Sequence, residues 1–146
     1  MKKLIFTFMI VGLLGSLTSV NAQINDGHQF LKKHINSVVE EVEEVKSPDK
    51  KREILDESLG NIIKAIERVS EKKSVSVSEK ENLAEFKDQL IERRDELNGE
   101  NGYGTIPNSQ LNNFANFIQQ DIEQADRLVT LSLTTVLLIV LILLLI

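Results

Sequence analysis

The nineteen residues from Leu128 to Ile146 constrain this chain more than any other stretch of it. Fifteen of them are Leu, Ile or Val, four are Thr or Ser, and none is charged. As an α-helix the stretch would be about 28 Å long, close to the roughly 30 Å hydrocarbon core of a bilayer. Aliphatic side chains favour insertion, and charged ones would oppose it. The stretch therefore predicts a transmembrane helix over 128–146, with the lipid bilayer as its partner.

The N-terminus predicts export from the cytoplasm. Two lysines precede an apolar run over residues 4–14, and Ala22 is a small residue at the position where a signal peptidase would cleave. We interpret residues 1–22 as a bacterial signal peptide, and the alternative is an uncleaved signal anchor. Either interpretation places residues 23–127 outside the cytoplasm, in the periplasm or at the cell exterior. The expected protein is a single-pass bacterial membrane protein with its C-terminus at the cytoplasmic side.

Composition limits what the exported part can be. The formal net charge of −5 becomes −7 when Lys2 and Lys3 are lost with the signal peptide. This acidity argues against nucleic acid as a partner. The chain has no cysteine, so its stability depends on packing and not on disulfides. Between signal and tail lie 105 residues, enough for one small domain.

Apolar residues recur at alternating spacings of three and four, the pattern of one helix face. This pattern predicts helices over about 27–46, 48–70, 78–98 and 109–127, with a loop over 99–108. The residues of the predicted core seam are Leu31, Ile35, Val38, Val42, Leu55, Leu59, Ile62, Ile66, Leu83, Phe86, Leu90, Leu111, Phe114, Ile118 and Ile122.

The predicted fold class is all-α, a small helical bundle or a coiled-coil hairpin. Three soluble helices would be followed by a fourth that continues into the membrane, because no Pro or Gly lies between Ser109 and Ile146. The seams would pack within one chain or between chains, and the spacing alone does not distinguish the two.

Two local signals predict where the third helix begins and ends. Ser76 with Glu79, or Ser78 with Glu81, would form a capping box at its start. Gly99 would end it, since glycine adopts the left-handed conformation common after a helix.

Two features suggest a partner surface. Tyr103 lies between two glycines in the loop, where an aromatic side chain could contact another protein. Residues 108–120 contain no charge, and Asn112, Asn113, Asn116 and Phe117 lie among them. The alternatives are a tyrosine that covers the end of the bundle and a helix buried by the other three.

Catalytic, metal and cofactor sites are not predicted. His28 and His34 are about 240° apart on a helix and do not share a face. The acidic run over 40–44 is interpreted as a solvated helix face. No nucleophile motif, phosphate-binding loop or zinc-protease motif occurs.

The sequence therefore favours a membrane-anchored, exported interaction or scaffold protein without catalytic activity. Its partners would be the bilayer and either another protein or a second copy, with no nucleic acid and no small-molecule substrate. The alternative hypothesis is a membrane-active protein whose helix over 109–146 oligomerises and perturbs the bilayer.

Overall fold

The computed structural model describes residues 23–128 and 132–146, and the predicted signal peptide lies outside them. Within these residues the protein is all-α, which confirms the helical-bundle part of the predicted fold class. A 3-10 turn over Asn108–Gln110 precedes the fourth helix. The helices are α1 (Gln23–Glu44), α2 (Pro48–Ser70), α3 (Val77–Asn98), α4 (Leu111–Leu128) and α5 (Leu133–Leu145).

Capping residues fix the ends of α2 and α3. The Ser47 hydroxyl accepts a hydrogen bond from the Lys50 amide at 3.4 Å, at the start of α2. At the start of α3 the amide of Ser76 donates to the Glu79 carboxylate, and the amide of Glu79 donates back to the Ser76 hydroxyl. The structure thus contains the first of the two capping boxes that the sequence allowed. Gly99, with φ of 71°, ends α3 in the left-handed conformation.

The core is organised around α2, which packs against each of the other four helices. Helix α1 also packs against α4 and α5. One continuous cluster of buried apolar side chains joins all five helices. All of the predicted seam residues except Val38 are buried in this cluster. Val38 is half-buried and packs against the cluster. The seams therefore pack within one chain, as a helical bundle.

The predicted continuous helix from Ser109 to Ile146 is wrong. Helix α4 ends at Leu128, and Ser132 has an extended backbone, with φ of −65° and ψ of 151°. The Ser132 hydroxyl accepts a hydrogen bond from the Thr135 amide at 3.3 Å, so a new helix begins there. Serine side chains compete with the helix for backbone hydrogen bonds, which allows a break without proline or glycine.

Helix α5 lies against α1 and α2 and does not extend away from the bundle. Its thirteen residues are about 20 Å long. Over residues 23–128 and 132–146, no helix is both long enough and apolar enough to cross a bilayer.

Gly60 lies inside α2, where an alanine is expected to make the protein more stable. A Cβ at this position would be 3.7 Å from Cζ of Arg94, an ordinary van der Waals contact. Glycine costs about 1 kcal/mol relative to alanine inside a helix. We expect Gly60→Ala to raise the free energy of unfolding by up to about 1 kcal/mol in urea denaturation.

The matched contrast is Gly99→Ala, which should lower the free energy of unfolding. Gly99 has φ of +71°, and a Cβ there would lie 2.9 Å from the Thr105 amide nitrogen. A loss of stability in Gly60→Ala as well would show that the added methyl displaces the Arg94 side chain.

Candidate functional site

From Val136 onward helix α5 is apolar on every side, yet the bundle covers only part of it. Val136, Ile139 and Ile142 are buried. The opposite face of the helix is solvent-exposed, with side-chain exposures from 43% to 52% for three leucines at spacings of four and three. We call this surface the leucine face; it consists of Leu137, Leu141 and Leu144.

The start of α5 is joined to α3 through hydrogen bonds to one oxygen atom, Oε1 of Glu79. The Ser132 amide donates to this atom at 2.9 Å. The Thr135 hydroxyl also donates to it at 2.9 Å. Thr135 is only 1% exposed, so its hydroxyl is a buried polar group that needs a partner. The contact therefore satisfies both the first amide of the α5 cap and a buried hydroxyl.

The other carboxylate oxygen of Glu79 caps α3. Its Oε2 accepts hydrogen bonds from the Ser76 amide at 3.0 Å and from the Ser76 hydroxyl at 2.8 Å. Hydrogen bonds from Ser132, followed by those from Ser76, hold the pKa of Glu79 far below its usual range. We call this group the Glu79 junction; it consists of Ser76, Glu79, Ser132 and Thr135.

The asparagines of the charge-free segment are largely used within the chain. Asn112 accepts a hydrogen bond from the Lys51 ammonium of α2. The Asn116 amide donates to the Asn112 carbonyl at 3.0 Å and to the Glu43 carboxylate of α1 at 3.4 Å. Asn113 is exposed. Two of the three predicted partner-surface asparagines thus face the bundle.

Phe117 is also on α4, and its ring contacts Arg93 of α3. The Arg93 guanidinium carbon is 4.7 Å from the centre of the Phe117 ring, and this distance permits a cation–π interaction. Nε of Arg93 also donates to the Asp121 carboxylate at 2.7 Å. Phe117 keeps an exposure of 43%. The contact ties α3 to α4.

Tyr103 is held on the outside of α3. Its hydroxyl donates to the Glu92 carboxylate at 2.7 Å, and 39% of the residue is exposed. This bond raises the pKa of the Tyr103 hydroxyl, because the neighbouring carboxylate favours the protonated form. Tyr103, Asn112, Asn116 and Phe117 therefore each contact a different group within the chain.

Arg52 holds the loop after α3 in place, a role that no sequence pattern predicts. Its guanidinium donates to the Leu97 carbonyl, to the Ile106 carbonyl at 2.6 Å and to the Asn108 side chain at 3.2 Å. These acceptors are 45 to 56 residues away along the chain. One basic residue among its neighbours Lys50 and Lys51 gives no local signal of such a role.

An open cleft between α2 and α3 is lined by charged side chains, and several of them have partners within the chain. Arg94 donates to both oxygens of Asp56, at 2.7 and 3.0 Å. The hydrogen bond from Arg94 lowers the pKa of Asp56. Across the described ranges, no group of His, Cys, Asp or Glu side chains is arranged to hold a metal ion.

The candidate histidine and acidic residues lie outside this cleft. His34 is half-buried, and burial lowers its pKa. The His28 side chain lies outside the described residues. The glutamates of the acidic run at 40, 41, 43 and 44 are all exposed, as a solvated helix face would be.

No protein-family model, curated protein or solved structure matches this chain. Its function must therefore be argued from its own geometry. One feature has no structural explanation in a free-standing bundle: the exposed leucine face.

Proposed function

We propose that this protein is an exported helical bundle that attaches to a lipid bilayer through residues 128–146 and acts there as an interaction or scaffold protein. The observation that carries the proposal is the leucine face, which the bundle leaves in contact with water. Exposed contiguous apolar surface is typical of sites that bind membranes or proteins. The proposed activity is binding and not catalysis.

Transfer of the tail to a bilayer is favourable on energetic grounds. Fifteen Leu, Ile and Val residues contribute roughly 5–9 kcal/mol in total, at about 0.3–0.6 kcal/mol each. Opposing this gain are the packing of α5 on α1 and α2 and the hydrogen bonds to Glu79. These opposing contributions define two states, one with α5 docked on the bundle and one with residues 128–146 in the bilayer.

The membrane-active alternative, with an oligomeric helix over 109–146, has less support. That hypothesis needs one continuous helix, and the chain instead forms α4 and α5 with an extended residue at Ser132. Dye release from vesicles at low protein loading would favour this alternative over the scaffold.

The test is flotation of residues 23–146 with neutral phosphatidylcholine vesicles. We use this segment because it contains the whole described core and omits the apolar N-terminal run. The wild-type protein should float with the vesicles. Leu137→Asp/Leu141→Asp should reduce the bound fraction at least tenfold, because a charge near the bilayer centre costs about 2.5–3.5 kcal/mol.

The matched control is Val77→Asp. Val77 is an apolar residue with 76% exposure, but it lies on α3 and outside the tail. The Val77→Asp variant should bind vesicles as the wild type does. Equal binding by the double variant and the wild type would contradict attachment through the tail.

A further inference from the structure

The way α5 is held on the bundle gives Glu79 a second role beyond capping α3. From Val136 onward, the side chains of α5 are all apolar. Apolar contacts are non-directional and do not by themselves fix where along a groove a helix lies. The hydrogen bonds from Ser132 and Thr135 to Glu79 are directional, and they lie at the first turn of α5.

Both of these bonds have a carboxylate as the acceptor. A carboxylate acceptor gives shorter and stronger hydrogen bonds than a neutral oxygen. One bond comes from a cap amide and the other from a hydroxyl that is almost fully buried. Both are made only when α5 is docked, because Ser132 and Thr135 would move away from Glu79 with the tail.

We propose that Glu79 is the latch that holds α5 on the bundle, and that breaking its contact with Ser132 and Thr135 shifts the tail toward the bilayer. The transfer of the tail to the bilayer rests on the proposed function. The role of Glu79 in docking α5 on the bundle does not. A contact made in only one of two states shifts the equilibrium by its own free energy. Loss of the latch should therefore favour the undocked state by about tenfold or more.

The two oxygens of Glu79 allow its two roles to be separated. Oε1 receives the donors from α5, whereas Oε2 receives the donors from Ser76. Thr135→Val removes one latch donor, retains nearly the same volume and leaves the α3 cap intact. Ser76→Ala weakens the α3 cap and leaves both α5 donors in place. Glu79→Gln removes the charge that both roles share.

The first measurement is hydrogen exchange of residues 23–146 in water without lipid. Thr135→Val and Glu79→Gln should speed exchange of the α5 amides over 133–145 by about tenfold or more. The α2 amides should keep their protection, which shows that the bundle remains folded. Ser76→Ala should leave α5 exchange unchanged. Unchanged α5 exchange in Thr135→Val and Glu79→Gln, or an equal rise in Ser76→Ala, would overturn the latch.

The second measurement is flotation of the same variants with neutral phosphatidylcholine vesicles. Thr135→Val and Glu79→Gln should bind at a lower lipid concentration than the wild type, and Ser76→Ala should match the wild type. If the variants showed faster α5 exchange but neither they nor the wild type bound vesicles, the membrane destination and the proposed function would be overturned. The docking contact between Glu79 and α5 would still stand. Faster exchange with binding unchanged from a wild type that floats would overturn only the link between latch and membrane.

Discussion

Ile62→Ala is expected to lower the free energy of unfolding by about 2–5 kcal/mol, the usual range for removing a buried isoleucine side chain. Ile62 has 0% exposure and lies in α2, which packs against every other helix. The cavity would therefore be surrounded by several helices and could not close by movement of one of them. Urea denaturation followed by circular dichroism measures the change. Val77→Ala, at a site with 76% exposure, should change stability by less than about 0.5 kcal/mol.

A second alanine variant tests whether α5 is as firmly held as the rest of the core. Ile139 is only 2% exposed, but it lies on α5. If α5 can leave the bundle while the other helices remain folded, the cost of Ile139→Ala cannot exceed the free energy of docking. We expect a smaller loss than for Ile62→Ala. An equal loss would show that α5 unfolds only together with the bundle.

Arg52→Met is expected to cost about 2–4 kcal/mol, since hydrogen bonds to a charged group contribute about 1.5–3 kcal/mol each. Methionine keeps much of the apolar stem and removes the donors to the Leu97 and Ile106 carbonyls. The free energy of unfolding of Arg52→Lys should lie between those of Arg52→Met and the wild type, because an ammonium group does not reproduce the planar fork of a guanidinium. Urea denaturation gives the stability, and hydrogen exchange should rise over residues 99–108.

The control for this prediction is Arg68→Met, at an exposed position near the end of α2. It should have little effect on stability or on exchange in the loop. If Arg52→Lys proved as stable as the wild type, the positive charge alone would account for the contact and the fork geometry would not matter.

The core residues could be predicted from the sequence because helix periodicity shows which face of a helix is apolar. Leu59, Ile62 and Ile66 occupy the predicted positions and are almost fully buried. The same method fails for α5, because an apolar helix has no polar face to mark the side that packs. Ser132 lies in a stretch with no charge, so its capping role was hidden by the hydropathy of its neighbours.

The contacts of Glu79 and Arg52 were harder to predict, because they join residues far apart in the chain. The capping box of Glu79 with Ser76 is local and was one of two expected possibilities. Its second partner, Ser132, is 53 residues away. No periodicity or spacing rule connects such positions, so the Glu79 junction emerges only from the folded structure. The same holds for Arg52 and the carbonyls it binds.

The position of α4 beside α1 has a consequence for the order in which the bundle folds. The Gln119 amide donates to Asn36 at 2.6 Å across a separation of 83 residues, whereas Arg94 and Asp56 are only 38 residues apart. Closing the longer loop costs more entropy, and long-range contacts slow folding. The hairpin of α2 and α3 is therefore expected to form first, and the contacts between α1 and α4 can form only after most of the chain has been synthesised.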